Sequence, residues 1–287
     1  MGNAHLMAAR KRKYDEYYTS YEDIEREMIH YKPSFKGKRI YCNCDDRSSA
    51  FYKYFKDKFH EFGLKALMVT GIKGEKCLYD GVREYVSDLE DGRFQSDECR
   101  ELLKWCDMVV TNPPFSLWRE YFDLVIESGK EFIILGVLNC LTYSNVFPYY
   151  RDNEVWLGTD RKSEFYWFDV SSDAPDNIKE RCKVHNGRLM MPMHQAAWIT
   201  NVHHDVPKHL EATAKYNRGG YQRYVDYDAI EVGHIKDIPC DYDGVMGVPI
   251  SFPLHHNPAE FEVVGTVKPH MPDGTAKYER YLIKKKA

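Results

Sequence analysis

The chain has 287 residues, of which 43% are hydrophobic and 29% charged, and its net charge is −4. These values are ordinary for a soluble globular protein with one large or two small domains. The longest apolar run, around Phe132–Leu138, is too short to cross a membrane, and the N-terminus lacks the apolar stretch of a signal peptide. We therefore expect a cytoplasmic protein with no membrane partner.

Positive charge is concentrated at the two ends of the chain. Residues 1–40 carry a net +3 and residues 275–287 a net +4, which leaves −11 for the interior. The basic runs Arg10–Lys13 and Lys284–Lys286 are candidates for phosphate contacts or, equally, for solvated tails. The eight cysteines include no CxxC pair, and the histidine pairs lack ligand spacing, so we predict mostly buried thiols and no metal site.

The first half of the chain alternates predicted helices and strands. Thr19 or Ser20 is a candidate N-cap for the first helix, and Gly63 and Gly129 are placed to end two others. The elements that follow the first helix are a strand in Gly37–Cys44, a helix in Ser48–Gly63, a strand in Leu64–Gly71, an irregular stretch, a helix in 97–105, a strand in Asp107–Thr111, a helix in Ser116–Ser128 and a strand in Glu131–Asn139. This order predicts an α/β fold with a parallel sheet covered on both faces, in which ligands bind at the carboxyl ends of the strands.

Beyond Leu141 the chain consists of shorter, aromatic-rich segments separated by Asn, Gly and Pro. We predict that this half is mostly β and loop and that part of it completes the sheet of the first half. Tyr216–Gly220 and Asp241–Phe252 are predicted to be ordered turns, and Phe261–Gly265 a closing strand.

The tetrapeptide Asn112-Pro113-Pro114-Phe115 follows a predicted buried strand with no slack. Two adjacent prolines forbid helix and donate no backbone hydrogen bond. The Asn112 side-chain oxygen and the Pro113 carbonyl can each accept a hydrogen from an exocyclic amine, while Phe115 can stack on the attached ring. Stacking is worth about 1–3 kcal/mol and each hydrogen bond roughly 0.5–1.5, enough to offset the cost of unstacking a base. The pattern indicates a site that activates an amine, and the alternative is a turn that only ends the strand.

The tetrapeptide resembles motif IV of S-adenosylmethionine-dependent amino-methyltransferases. Further stretches are similar to the EcoRI-type adenine-N6 DNA methyltransferase family and span residues 15–265: DEYYTSYEDIEREMIHY, GKRIYCNCDD, DMVVTNPPFSLWREYF, YVDYDAIEV and DYDGVMGVPISFPLHHNPAEFEVVG. The resemblance implies a Rossmann-like sheet and methyl transfer from S-adenosylmethionine to the N6 amine of a flipped adenine in duplex DNA. It implies that residues 1–150 bind the donor and catalyse transfer, and that residues 151–287 form a β- and loop-rich region for target recognition.

The resemblance also assigns residues to roles. It implies a catalytic loop of Asn112, Pro113, Pro114 and Phe115. It implies cofactor contacts from Tyr18, Thr19, Asn43, Cys44, Asp45, Asp46, Asp91, Phe94 and Asn112. Two features depart from the expected pattern: the loop CNCDDRSSAF lacks the glycines of dinucleotide sites, and Arg93 stands where an acid is expected. Asp91 therefore substitutes for that acid or the contact is absent, and helix capping is the alternative role for each aspartate.

Two other functions fit the same residues. The tetrapeptide also occurs in enzymes that methylate RNA adenine, cytosine N4 or protein glutamine, and a catalytically silent nucleic-acid-binding protein is a further alternative. The expected partner is duplex DNA, and a companion restriction endonuclease for the same site is compatible with the resemblance. Basic residues of the second half are candidates for phosphate and base contacts or for solvated surface: Arg151, Arg161, Lys162, Arg181, Lys183, Arg188, Arg218 and Arg223.

Overall fold

The computed structural model describes residues 19–160, 166–170, 176–193, 195–204 and 212–286. These residues pack as two compact units: the first lies within Met1–Val137 and Gly158–Asp205, and the second within Leu138–Leu157 and Val206–Ala287. The units therefore interleave along the chain. The predicted division between residues 1–150 and 151–287 concerns function rather than packing, and it stays a prediction.

The elements are numbered in chain order. The helices are α1 Tyr21–Met28, α2 Lys32–Phe35, α3 Ala50–Asp57, α4 Phe59–Phe62, α5 Asp97–Trp105, α6 Trp118–Glu127, α7 Phe147–Arg151 and α8 Asp176–Lys179. The strands are β1 Arg39–Cys42, β2 Ala66–Thr70, β3 Glu75–Tyr79, β4 Glu84–Asp88, β5 Met108–Thr111, β6 Glu131–Val137, β7 Trp156–Leu157, β8 Tyr166–Asp169, β9 Lys183–His185, β10 Arg188–Met193, β11 Ala196–Thr200, β12 Ala229–Glu231, β13 Val245–Pro249, β14 Phe261–Val267 and β15 Arg280–Lys285.

The main sheet of the first unit has the strand order β4-β3-β2-β1-β5-β6-β11. Strands β2, β1, β5 and β6 are parallel, as predicted, and their connections through helices confirm the α/β, Rossmann-like fold class. The sheet as a whole is mixed, because β3, β4 and β11 pair antiparallel. Strand β11 comes from beyond residue 151 and pairs with β6, so the second half of the chain contributes to this sheet.

Local signals place the helices around this sheet. Ser20 caps α1 by accepting from the Asp23 amide at 3.1 Å, and Ser49 caps α3 by accepting from the Tyr52 amide at 3.1 Å. The predicted helix in Ser48–Gly63 is broken at Lys58 into α3 and α4, and Gly63 ends α4 in the left-handed region with φ 63°. The predicted helix after the prolines is confirmed, with Phe115–Leu117 as a 3-10 turn before α6.

Two segments differ from the predicted structure. The stretch predicted to be irregular contains the hairpin β3–β4, whose second strand is exposed at all five residues and so shows no apolar alternation. Its loop begins with Asp80-Gly81, in which Gly81 has φ 98° and the Asp80 carboxylate accepts the Val82 and Arg83 amides. Asp241–Phe252, predicted to be turns, contains strand β13, because Met246 and Val248 are buried in a sheet.

The second unit is built on the sheet β12-β13-β15-β14, in which the predicted closing strand is confirmed as part of β14. A third sheet, β8-β10-β9, belongs to the first unit. Five cysteine side chains are buried, as predicted for most of them: Cys42, Cys77, Cys99, Cys106 and Cys140. Across the described part of the chain, every helix is too short or too polar to span a bilayer.

Candidate active site

A cavity of about 380 Å³ opens where the carboxyl ends of β1, β2 and β5 meet. This volume lies within the range of small-molecule sites, and the position is the one that open α/β sheets use for ligands. The cavity is lined by Thr19, Asn43, Cys44, Asp45, Asp46, Ser49, Ala50, Phe51, Gly71, Ile72, Gly92, Arg93, Phe94, Gln95, Asn112, Pro113, Pro114, Ser116, Leu117 and Glu120.

The loop after β1 is held from two sides. Asn43 is 1% exposed, and its side-chain oxygen accepts a hydrogen bond from the Tyr121 hydroxyl on α6. Burial raises the pKa of Tyr121 well above its usual value, so this hydroxyl keeps its proton and acts as a donor. The Asp45 carboxylate accepts from the Thr111 hydroxyl at 2.7 Å, which ties the loop to the last residue of β5. The helix that follows the prolines and the strand that precedes them thus both position this loop.

Asp46 organises the turn into α3. Its carboxylate accepts from the Ser48 amide at 2.8 Å and from the Ser48 hydroxyl at 2.5 Å. The helix-capping alternative for the aspartates is not what the structure shows here, because the N-cap of α3 is Ser49. Asp45 and Asp46 both line the cavity at the start of α3.

The proline corner forms one wall of the cavity. Asn112, Pro113 and Pro114 line it, and the Asn112 Nδ2 atom donates to the Thr19 hydroxyl at 3.2 Å. This bond defines the orientation of the carboxamide, with Oδ1 as its acceptor end. Phe115 begins the 3-10 turn that leads into α6 and is not among the lining residues.

Glycines in two other loops allow the chain to close around the cavity. A Cβ atom on Gly92 would lie 2.1 Å from the Gly71 carbonyl oxygen, and a Cβ atom on Gly71 would lie 2.9 Å from Asp46 Cβ. Only glycine fits such approaches without a shift of the backbone. The glycines that the sequence lacks after β1 therefore have counterparts after β2 and before α5.

Of the remaining predicted cofactor contacts, Phe94 lines the cavity and Asp91 does not. Phe94 is 4% exposed, lines the cavity and packs edge-on against the Tyr121 ring at 5.0 Å. Asp91 does not line the cavity: it forms an ion pair with Arg93 at 2.6 Å, and hydrogen bonds from Arg93 lower the pKa of its carboxyl group. Tyr18 lies outside the described residues. Thr19, Asn43, Cys44, Asp45, Asp46, Phe94 and Asn112 are brought together around the cavity.

Several lining residues were missed by the sequence reasoning. Glu120 lies two turns after the proline corner and accepts from Gln95 Nε2 at 3.1 Å, so an acid borders the cavity although Arg93 replaces the expected one. Ile72 also lines the cavity, and its side chain is 59% exposed. The signal for Glu120 was its place in the first turn of the helix that follows the proline corner, whereas Ile72 had none. Among the described residues, no group of three or more His, Cys, Asp and Glu side chains is arranged to hold a metal ion.

Comparison with known proteins agrees with this architecture. The model of the family described as "Adenine-specific methyltransferase EcoRI" matches residues 5–88 and 83–286, nearly the whole chain. The chain belongs to this family. The resemblance stated for the motifs is thereby confirmed, and the protein is a member of a methyltransferase family.

Curated members of the family are similar over nearly their full length. Type II methyltransferase M.EcoRI from Escherichia coli is 38% identical over 99% of this chain and 97% of its own. Type II methyltransferase M.MgeORF184P from Mycoplasma genitalium is 35% identical over 91% and 85%, and Type II methyltransferase M.MpnI from Mycoplasma pneumoniae is 34% identical over 96% and 89%. No solved structure matches the chain.

Proposed function

We propose that this family member transfers a methyl group from S-adenosylmethionine to the N6 amine of an adenine flipped out of a specific site in duplex DNA. The observation that carries the proposal is the position of Asn112, Pro113 and Pro114 on the wall of a cavity that the loop after β1 also lines. A rigid pair of acceptors and a ligand cavity at the end of one sheet are what methyl transfer to an amine requires.

The lining of the cavity fits the proposed donor. S-adenosylmethionine combines a flat adenine ring, ribose hydroxyls and a positively charged methionine end. The apolar side chains of Phe51, Ile72 and Leu117 suit the ring, and the exposed surface of Ile72 would be covered by it. The carboxylates of Asp45, Asp46 and Glu120 suit hydroxyl groups and positive charge. When bound, the donor supplies a methyl group on a sulfonium, which is the electrophile of the reaction.

Asn112 and Pro113 would orient the target amine. The Asn112 side-chain oxygen and the Pro113 carbonyl each accept one hydrogen of the amine, which directs the nitrogen lone pair toward the methyl carbon. Thr19 fixes the Asn112 carboxamide through its hydrogen bond from Nδ2. Phe115 directly follows the two prolines, and we retain it as the side chain that stacks on the flipped base.

The transfer needs no covalent enzyme intermediate. Among the residues that the structure describes, Cys44 is the one cysteine that lines the cavity, and we assign it contact with the donor rather than a nucleophilic role. Acceleration would come from holding the amine in line with the methyl group. Such positioning alone can raise a reaction rate by several orders of magnitude. Asp91, whose carboxylate is held by Arg93, is left out of the proposed cofactor contacts.

The two halves of the chain would have different tasks. Within the described part of the chain, the residues that line the cavity lie between Thr19 and Glu120, which supports donor binding and catalysis within residues 1–150. Target recognition is then assigned to residues 151–287. The type II naming of the relatives supports the further expectation of a companion restriction endonuclease for the same site.

Expression in a host that lacks adenine methylation tests the proposal. Sequencing of the host DNA with modification-sensitive detection should show N6-methyladenine at one short recognition sequence, and the Asn112→Ala variant should leave that sequence unmodified. Purified protein offered duplex DNA, RNA and protein should label only the duplex. Label in RNA, in protein or at cytosine would replace the proposed substrate, and donor binding without any transfer would replace the proposed reaction.

A further inference from the structure

A short two-stranded ribbon projects from the first unit. Strands β9 and β10 are joined by Asn186-Gly187, whose φ values of 48° and 75° place both residues in the left-handed region. This is the geometry of a tight hairpin turn that matches the natural twist of the strands. Across the ribbon Val184 pairs with Leu189, and His185 pairs with Arg188. We call residues 181–189 the ribbon tip.

One face of this ribbon is buried at its base and uncovered at its tip. Met191 is 3% exposed and its partner Phe168 on β8 is fully buried, so this face packs on the core. Two residues further out on the same face, Leu189 is 48% exposed, and its cross-strand partner Val184 is 75% exposed. The ribbon tip therefore extends past the core and presents an apolar pair to its surroundings.

The opposite face borders a second cavity. His185 stacks on Trp167 with ring centroids 4.2 Å apart and an angle of 6° between the planes. These rings and Arg188, whose side chain is 74% exposed, line a cavity of about 680 Å³ that also includes Ser20. Because Thr19 lines the first cavity and Ser20 the second, both cavities border the start of α1.

The charge of the ribbon tip is opposite to that of the whole chain. Residues 181–189 contain three Lys or Arg, one His and no acidic residue, whereas the chain carries −4. Arg188 pairs with Asp169 at 3.9 Å, and both side chains are well exposed, so the pair is weak. Glu22 and Asp23 also line the cavity beside Arg188, on the face opposite to the apolar pair. A projecting apolar pair surrounded by positive charge suits a polyanion that offers both phosphates and apolar surface, which is a property of a DNA groove.

We propose that the ribbon tip enters a groove of the duplex beside the target adenine. Arg181, Lys183 and Arg188 would contact phosphates or base edges, and Val184 with Leu189 would pack against the bases. The major groove is wide enough for a two-stranded ribbon. The inference rests on the proposed function, because it identifies the element through which that site holds its DNA.

A charge-removal pair of variants tests the phosphate contacts. The triple variant Arg181→Gln, Lys183→Gln and Arg188→Gln is compared with a control in which three exposed basic residues elsewhere in the first unit are changed: Lys65→Gln, Arg83→Gln and Lys104→Gln. Each triple lowers the net charge by 3. Binding to a short duplex of mixed sequence is measured against salt concentration. The ribbon triple should lower the salt slope by about 2 to 3, and the control by less than about 1.

The apolar pair needs its own variant. Val184→Ser with Leu189→Ser should reduce discrimination between the methylated sequence and unrelated duplexes by roughly tenfold, which is a typical contribution of base contacts. The control is Val82→Ser, a residue 82% exposed in the β3–β4 loop. Affinity for S-adenosylmethionine should equal that of the wild type in all variants, which shows that the first cavity is intact.

The wild-type protein separates the two proposals. If it methylates duplex DNA and the ribbon variants match their controls, the ribbon proposal is wrong and the proposed function stands. If the wild type neither binds nor methylates duplex DNA, the proposed function fails and the ribbon proposal falls with it. If the ribbon tip instead binds a protein or a second copy of the chain, the ribbon triple variant would keep the wild-type salt slope for duplex binding and would change in oligomeric state. That result would overturn the ribbon proposal.

Discussion

The bond between Thr111 and Asp45 offers a sharp test of how the cavity is assembled. Thr111 is fully buried at the end of β5, and its hydroxyl donates to the Asp45 carboxylate at 2.7 Å. Thr111→Val keeps the shape of the side chain and removes this donor. A hydrogen bond to a charged group contributes about 1.5–3 kcal/mol. If all of this free energy is lost from the binding of S-adenosylmethionine, that binding weakens about 10- to 100-fold.

The neighbouring strand supplies a matched control. Thr70 ends β2, is also fully buried, and its hydroxyl lies 2.8 Å from the Tyr41 hydroxyl. Thr70→Val removes a neutral hydrogen bond worth roughly 0.5–1.5 kcal/mol and leaves the loop after β1 untouched. Calorimetry should show weaker donor binding for Thr111→Val alone, while urea unfolding shows a modest loss of stability for both. Equal donor affinities in the two variants would refute the idea that β5 positions this loop.

Three further predictions follow from the same geometry. Gly92→Ala should abolish measurable binding of S-adenosylmethionine in calorimetry, because its Cβ would lie 2.1 Å from a backbone oxygen. Gly233→Ala, with open space around it, should bind normally. Normal binding by both variants would contradict the close approach of Gly92 to Gly71. Asp107→Asn should cost about 1 kcal/mol of unfolding free energy at pH 7, since hydrogen bonds from Arg39 lower the pKa of Asp107 to about 2 and solvent partly screens this half-buried pair. The stabilising form is the carboxylate, so urea titrations should show this difference shrinking as pH falls from about 4 toward 2; a constant difference would contradict it. Cys44→Ser should keep its rate of methyl transfer in a radiolabelled assay, and complete loss of transfer would reopen covalent catalysis.

The parallel part of the sheet was predictable because each strand is buried and bounded by clear signals. Ser20 and Ser49 begin helices, Gly63 ends one, and the prolines stop β5 at Thr111. Since the carboxyl ends of parallel strands meet at one edge, placing residues after β1 and after β5 was enough to bring them together. Strand order therefore brings these two loops together, whereas the roles of the residues within them were implied by the family resemblance.

Elements with exposed faces were harder to predict. Strand β4 is exposed throughout, so apolar periodicity carried no information, and the Asp80-Gly81 turn was the only local signal of the hairpin. Strand β13 has a Gly and a Pro within five residues, a composition that favours turns, and tertiary pairing overrides it.

The contacts around the donor cavity depend on packing that spacing does not reveal. Arg93 turns back onto Asp91 instead of leaving that carboxylate to face the cavity, and Gln95 connects to Glu120 on a helix that follows in the chain. The close approach of Gly92 to Gly71 likewise joins two loops that are distant in sequence. Such pairings follow from the register of the sheet and the direction of the loops, which a single sequence does not specify.

The acceptor pair at Asn112 and Pro113 is tested most directly by single-turnover methyl transfer. Asn112→Ala is mixed with labelled S-adenosylmethionine and duplex DNA that carries the recognition sequence, and donor affinity is measured by calorimetry in the same preparation. We predict that donor affinity stays within a few-fold of the wild type while the rate of transfer to adenine falls at least about a hundredfold. Transfer at the wild-type rate with donor bound would contradict the account.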